Sequence, residues 1–136
     1  MKFNHTLTTT APPATIWGIW TDVSNWSRWD TELRDSTLNG AFILGATGIL
    51  TTAAGRASRF RISQFNPGQS YTMTIDLPLS SLNVYRYLHD RSDDTVFTHE
   101  VSFKGLLAPL FWFLLGRKFR AVLPSVMSNI VRIAES

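Results

Sequence analysis

The sequence predicts an α+β fold in which one antiparallel sheet of seven strands, apolar on one face, is covered on that face by a long C-terminal helix. Three observations predict it. Residues 2–10 and several stretches between Asp35 and Phe103 alternate apolar and polar side chains with period two. Four of the five tryptophans (Trp17, Trp20, Trp26, Trp29) fall between Ile16 and Asp30, just after an Ala-Pro-Pro break, where two short helices are expected. After Gly105 the period becomes helical, with Phe119, Leu123, Val126, Ile130 and Ile133 recurring at steps of three and four.

Each element has a local reason. KFNHTLTTT sets Phe3, His5 and Leu7 against Asn4, Thr6 and Thr8, a strand with a β-branched bias. Ala11-Pro12-Pro13 ends it, because proline lacks a donor and presets φ, and proline also suits the first turn of the helix that follows. That helix carries Ile16, Trp17, Ile19 and Trp20; a second, which Asp22 or Ser24 can cap, carries Trp26 to Trp29. Six strands then run from Asp35 to Phe103, broken at Asn39-Gly40, Gly45, Gly55, Asn66-Pro67-Gly68, Pro78 and Asp90–Asp94.

Within them Phe97, His99, Val101 and Phe103 share one face. Phe60 and Ile62 alternate with Arg59, Arg61 and Ser63, and Tyr71, Met73 and Ile75 with Thr72, Thr74 and Asp76. One sheet with a solvated face accounts for all three patterns. Arg86 is in register with Leu82, Val84 and Leu88, which turns a guanidinium inward; a one-residue slip turns Tyr85 and Tyr87 inward instead. In the last helix Pro124 removes one backbone bond, so a bend is expected there.

Composition narrows the function. A chain of 136 residues, 44% hydrophobic and 17% charged, fits a single domain over residues 1–136 with a core large enough to hold a cavity. It has no cysteine, which excludes disulfides and thiolate metal ligands, and no charged-then-apolar leader, so a cytoplasmic protein is expected. Thirteen basic against ten acidic residues leave a net charge of +3. The basic groups Arg56, Arg59, Arg61 and Arg117, Lys118, Arg120 lack interleaved aromatics, so no nucleic-acid partner is expected. Leu106–Gly116 is an apolar run of eleven residues, short of the roughly 20 that cross a bilayer. It is either a buried first helical turn followed by a solvated basic face or the gate end of the long helix, with Phe111, Trp112 and Phe113 plugging the cavity or touching membrane peripherally and the basic residues behind meeting anionic headgroups.

Ala11-Pro12, Trp20-Thr21-Asp22-Val23, Trp26 to Trp29-Asp30, Gly40 to Gly48, Thr98-His99, Gly105-Leu106-Leu107-Ala108-Pro109 and Leu123-Pro124 also occur in this order. Together they resemble the polyketide cyclase/dehydrase family of the SRPBCC (START-like, helix-grip) superfamily, nearly end to end. The resemblance implies a sheet gripping the last helix, with an apolar cavity between them for lipids, polyketides or other hydrophobic small molecules. It leaves the reaction open, because such a superfamily holds carriers, sensors, cyclases and hydrolytic members.

Trp17 and Trp20 are expected to pack in the core, whereas Trp26 and Trp29 are expected at the cavity rim. The ligand-contact candidates are Trp26, Trp29, Phe60, Tyr71, Met73, Arg86, Phe97, His99, Val101, Phe119 and Leu123. His99 is the titratable group on an apolar strand face; it either meets a ligand or is satisfied by a neighbour, and His5 shares its situation. An inward Arg86 would ask for a carboxylate or carbonyl partner. Metal-ligand spacing, a phosphate loop and a nucleophile elbow are all missing from the sequence, and neither metal nor cofactor is expected.

The leading expectation is a non-catalytic binder or carrier of a hydrophobic small molecule, as monomer or homodimer. One alternative is a cyclase or dehydratase in which His99 moves a proton and Arg86, Tyr71, Tyr85 or Tyr87 polarises a carbonyl. Another is a membrane- or protein-docking module acting through Leu106–Arg120.

Overall fold

The computed structural model describes residues 1–90 and 93–136. Seven antiparallel strands form one sheet: β1 (Lys2–Thr9), β2 (Leu33–Asn39), β3 (Thr47–Thr52), β4 (Ala57–Asn66), β5 (Ser70–Leu77), β6 (Ser80–Leu88) and β7 (Thr95–Gly105). Their spatial order is β1-β7-β6-β5-β4-β3-β2, so β2 to β7 form a meander and β1 closes against β7 at the far edge. Because β1 and β2 lie on opposite edges, the chain between them must cross the whole sheet. Helix α1 (Pro13–Thr21) and a short 3₁₀ helix (Val23–Arg28) make that crossing, and they carry the tryptophan cluster over the apolar face. Of the break expected at Asp90–Asp94, Arg91 and Ser92 lie outside the described residues.

The strand phases follow the alternation of the sequence. Phe60 and Ile62 of β4, Tyr71 and Met73 of β5, and Phe97, Val101 and Phe103 of β7 are all buried on one side. In β6, Leu82, Arg86 and Leu88 are buried, while Tyr85 and Tyr87 stack on each other at 4.7 Å on the opposite face. The structure thus has the Arg86-inward register. At β3, Gly48 pairs with Phe60, and a Cβ there would sit 2.2 Å from the Thr37 carbonyl oxygen and 2.4 Å from the Phe60 ring. Glycine lets that ring lie flat against the strand.

The C-terminal helix is continuous but not uniform. It starts as α2 (Ala108–Phe111), widens into a π turn (Trp112–Gly116) and proceeds as α3 (Arg117–Ala134). The Trp112 ring lies against Gly116, where a Cβ would be 3.3 Å away, and packs on Phe3 at 5.7 Å and Phe103 at 6.1 Å. Accommodating an indole widens the turn, as π bulges do. The irregularity is therefore upstream of the expected position: α3 runs on through an exposed Pro124, and Leu123, Val126, Met127 and Ile130 face the sheet. No described helix is long and apolar enough to cross a membrane.

The 3₁₀ helix is not capped as expected. Asp22 makes no side-chain bond to its backbone donors; its carboxylate accepts from Asn25 Nδ2 at 2.7 Å, and the tight i+3 bond Asn25 N–H to Asp22 C=O closes the turn.

Candidate functional site

Strand register brings a polar row together on the apolar face. Phe65 pairs with Tyr71, Tyr71 with Arg86, Arg86 with His99, and His99 with His5, each the Cα partner of the next across β4, β5, β6, β7 and β1. Cross-strand partners project on the same side, so Tyr71, Arg86, His99 and His5 form one belt across an otherwise apolar floor. The crossing helices cover it.

Arg86 is the centre of this belt. It is 4% exposed, yet no carboxylate lies within ion-pairing distance among the described residues. One terminal nitrogen donates to the Tyr71 hydroxyl. Its guanidinium carbon lies 5.3 Å from the centre of the Trp26 ring, 5.0 Å from Trp29 and 5.6 Å from Tyr71. Three ring faces supply the electrostatic attraction that water would otherwise provide. The Nε–H has no hydrogen-bond partner among the described residues. A buried donor left unpaired is destabilising unless something else accepts from it.

His99, 1% exposed, is held differently. The Trp20 indole N–H donates to its Nε2 at 3.0 Å. Indole can only donate, so Nε2 is the unprotonated nitrogen and Nδ1 carries the hydrogen. Burial first, then the Arg86 charge and His5, push its pKa well below the ordinary histidine value. Burial likewise raises the Tyr71 phenol, against the opposing pull of Arg86. Asp30, half-buried behind the aromatic box, is also raised by burial, with the Arg86 charge and the Glu32 backbone N–H pulling the other way. At neutral pH Arg86 is thus a cation flanked by the neutral imidazole of His99 and the neutral phenol of Tyr71.

Three of the four clustered tryptophans lie differently from the sequence expectation. Trp26 and Trp29, expected at a rim, are 1% and 2% exposed and form the walls of the Arg86 box. The Trp26 indole N–H donates to the Trp20 carbonyl at 2.8 Å, and Asn129 of α3 donates to the Trp29 carbonyl at 3.1 Å. A 3₁₀ helix repeats every three residues, so positions 26 and 29 point the same way, into the sheet. Trp20 is buried as expected, but Trp17 is half-exposed. With half-buried Phe42 and Phe65 it forms an aromatic cap over Tyr71, with Phe42 at 4.9 Å and Trp17 at 6.2 Å from that ring.

Of the other candidates, Phe60, Met73, Phe97, Val101 and Leu123 belong to the same buried cluster, and half-buried Phe119 packs against it. Sequence reasoning had no means of finding Phe42, Phe65 and Asp30, since each joins the site through register or loop packing. Two open depressions lie elsewhere. One, of about 370 Å³, runs along β2 and β3 beside Thr37, Ile49 and Arg59; the other, of about 390 Å³, is on the polar outer face beside Thr72, Asn83 and Glu100.

A family profile described as polyketide cyclase/dehydrase and lipid transport matches residues 1–135. The chain belongs to this family. Sequence comparison with curated proteins gives no match. Among solved structures, norcoclaurine synthase from Thalictrum flavum aligns with a TM-score of 0.72 at 10% identity, over 100% of this chain and 87% of that one. A START superfamily protein from Mycobacterium smegmatis aligns with a TM-score of 0.72 at 10% identity, over 97% of this chain and 98% of that one. A Nitrosomonas europaea protein aligns with a TM-score of 0.75 at 10% identity, over 99% and 94%. These neighbours share the seven-stranded sheet closed on a long C-terminal helix, the helix-grip fold of START-like proteins, and at such identity the likeness is one of fold.

Proposed function

We propose that this protein is a cytoplasmic binder or carrier of an apolar small molecule that ends in a carboxylate or carbonyl group, received at Arg86 between the sheet and α3. The observation that carries this is the unpaired Nε–H of a buried guanidinium facing an aromatic box. An acceptor oxygen would satisfy the donor, and a carboxylate would also offset a desolvated charge. Trp26, Trp29, Phe60 and Phe97 are packed in the same buried cluster, so they would have to part on binding to give the rest of the molecule an apolar surface. The half-exposed cap of Trp17, Phe42 and Phe65 is the covering that has to shift for entry.

A carrier fits this belt better than the cyclase alternative. The basic lone pair of His99 accepts from Trp20, and burial keeps the ring neutral, so it offers a donor at Nδ1 rather than a base.

Titration of tryptophan fluorescence with a medium-chain fatty acid and the matching alcohol tests the proposal. A charge-assisted hydrogen bond contributes about 1.5–3 kcal/mol, so the acid is expected to bind about ten- to hundredfold more tightly. Arg86→Met is expected to abolish that preference while leaving the unfolding temperature unchanged or raised, because it removes a desolvated cation. Absence of quenching by either ligand, with no bound mass in native mass spectrometry, overturns it.

A further inference from the structure

One end of the molecule exposes large apolar side chains that neither the core nor the backbone requires. Leu79 is at the β5–β6 turn, 68% exposed, with a φ of 51° in the left-handed region where glycine or asparagine is the relaxed choice. Leu106, 77% exposed, begins the next connection, and the two turns are joined: the Leu107 N–H donates to the Leu79 carbonyl at 3.3 Å, and Ser80 pairs with Gly105. Leu110, Phe113 and Leu114 continue from Leu106 at helical steps of three and four along α2 and the π turn, all exposed. Their neighbours Phe111, Trp112 and Leu115 pack inward, so the segment has one face in the core and one in solvent.

Along the last segment of the chain the charge has one sign, and the two carboxylates that other elements bring to this end, Asp76 and Glu32, are each paired, with Arg61 and Lys118. Between Glu100 and Glu135 the chain contains no acidic residue but five basic ones, Lys104, Arg117, Lys118, Arg120 and Arg132. Lys118 pairs with Glu32 at 3.1 Å; Arg117 and Arg120 are exposed and directly follow the apolar segment, and Lys104, two residues before Leu106, is exposed on the outer face of the sheet.

We propose that this end docks on the interface of an anionic lipid bilayer, its leucines and Phe113 entering the headgroup–acyl boundary while Lys104, Arg117 and Arg120 meet the anionic headgroups. The side chains protrude singly from a turn and a helix instead of lining a groove, as an apolar wedge does, and the basic flank complements a negative surface. A protein partner would have to match the same protruding shape with an acidic rim. The proposal does not depend on a ligand at Arg86.

Co-sedimentation of the full chain with vesicles of phosphatidylcholine alone, and with about a third phosphatidylglycerol, tests it. Binding is expected to the anionic vesicles, well above the neutral ones, and to weaken as salt is raised. Arg117→Gln and Arg120→Gln are each expected to reduce it by about fivefold. Phe113→Asp and Leu106→Asp are expected to reduce it by at least about tenfold while fatty-acid quenching and far-ultraviolet circular dichroism stay at the parent level, since both side chains are exposed. Equal sedimentation with both vesicle types overturns the proposal, as does an unchanged Phe113→Asp variant. So does a solution dimer that Phe113→Asp dissociates in the absence of any vesicle binding, for then a second copy covers the face.

Discussion

His99 converts its surroundings into a pH dependence whose sign can be worked out. In the unfolded chain it titrates near its ordinary value of about 6.5, whereas in the folded protein burial and Arg86 hold its pKa well below that. Below about pH 6.5 the unfolded chain therefore takes up the proton first, and stability that is fully present above this value is lost as pH falls toward the folded pKa. Asp30 acts in the opposite sense: its raised pKa favours the protonated folded form, so its contribution is present below its ordinary 3.8 and is lost as pH rises through the folded value. Thermal unfolding from pH 8 to pH 5 should show a declining midpoint, and His99→Gln, which keeps an acceptor for Trp20, should flatten that decline. The sequence marked His99 and Arg86 from phase alone. It offered no way to pair them with each other, with Tyr71 and with His5, because a row across strands is fixed by register between segments far apart in the chain.

At the scale of elements, the tightest contact is at Gly48. A methyl group there meets the Thr37 backbone carbonyl, which cannot rotate away as a side chain can. Gly48→Ala is expected to destabilise the protein by about 1–3 kcal/mol, read as a lowered denaturant midpoint with an unchanged slope. Strand phases were readable from the two-residue apolar spacing, the boundaries between strands from the glycine and proline breaks, and the start of the last helix from the change of spacing to three or four. The type of the second short helix was not readable. Whether it winds as 3₁₀ or α decides which tryptophans turn inward, and the Trp26 indole bond to the Trp20 carbonyl forms only once the chain has turned between α1 and this helix. The π turn was equally hidden, since it follows from fitting Trp112 between Phe3, Phe103 and Gly116.

For the whole molecule, the order of a strand, two short helices, six strands and a terminal helix was legible from the residues, while the helix-grip architecture came from the family resemblance those segments carry. The same order has a kinetic consequence. The meander from β2 to β7 joins neighbours in sequence, but β1 meets β7 across most of the chain, from Lys2 with Ser102 to Thr9 with Thr95, and the tryptophan segment is tethered to β1. Contacts that span so much chain form late, after local hairpins have collapsed. In stopped-flow refolding the indole signal should therefore lag behind the backbone circular dichroism, and a Trp20→Phe variant should lose part of the slow phase; coincident traces would exclude this order of events. Folding would then finish with the belt of Tyr71, Arg86 and His99 still open to water until its roof arrives.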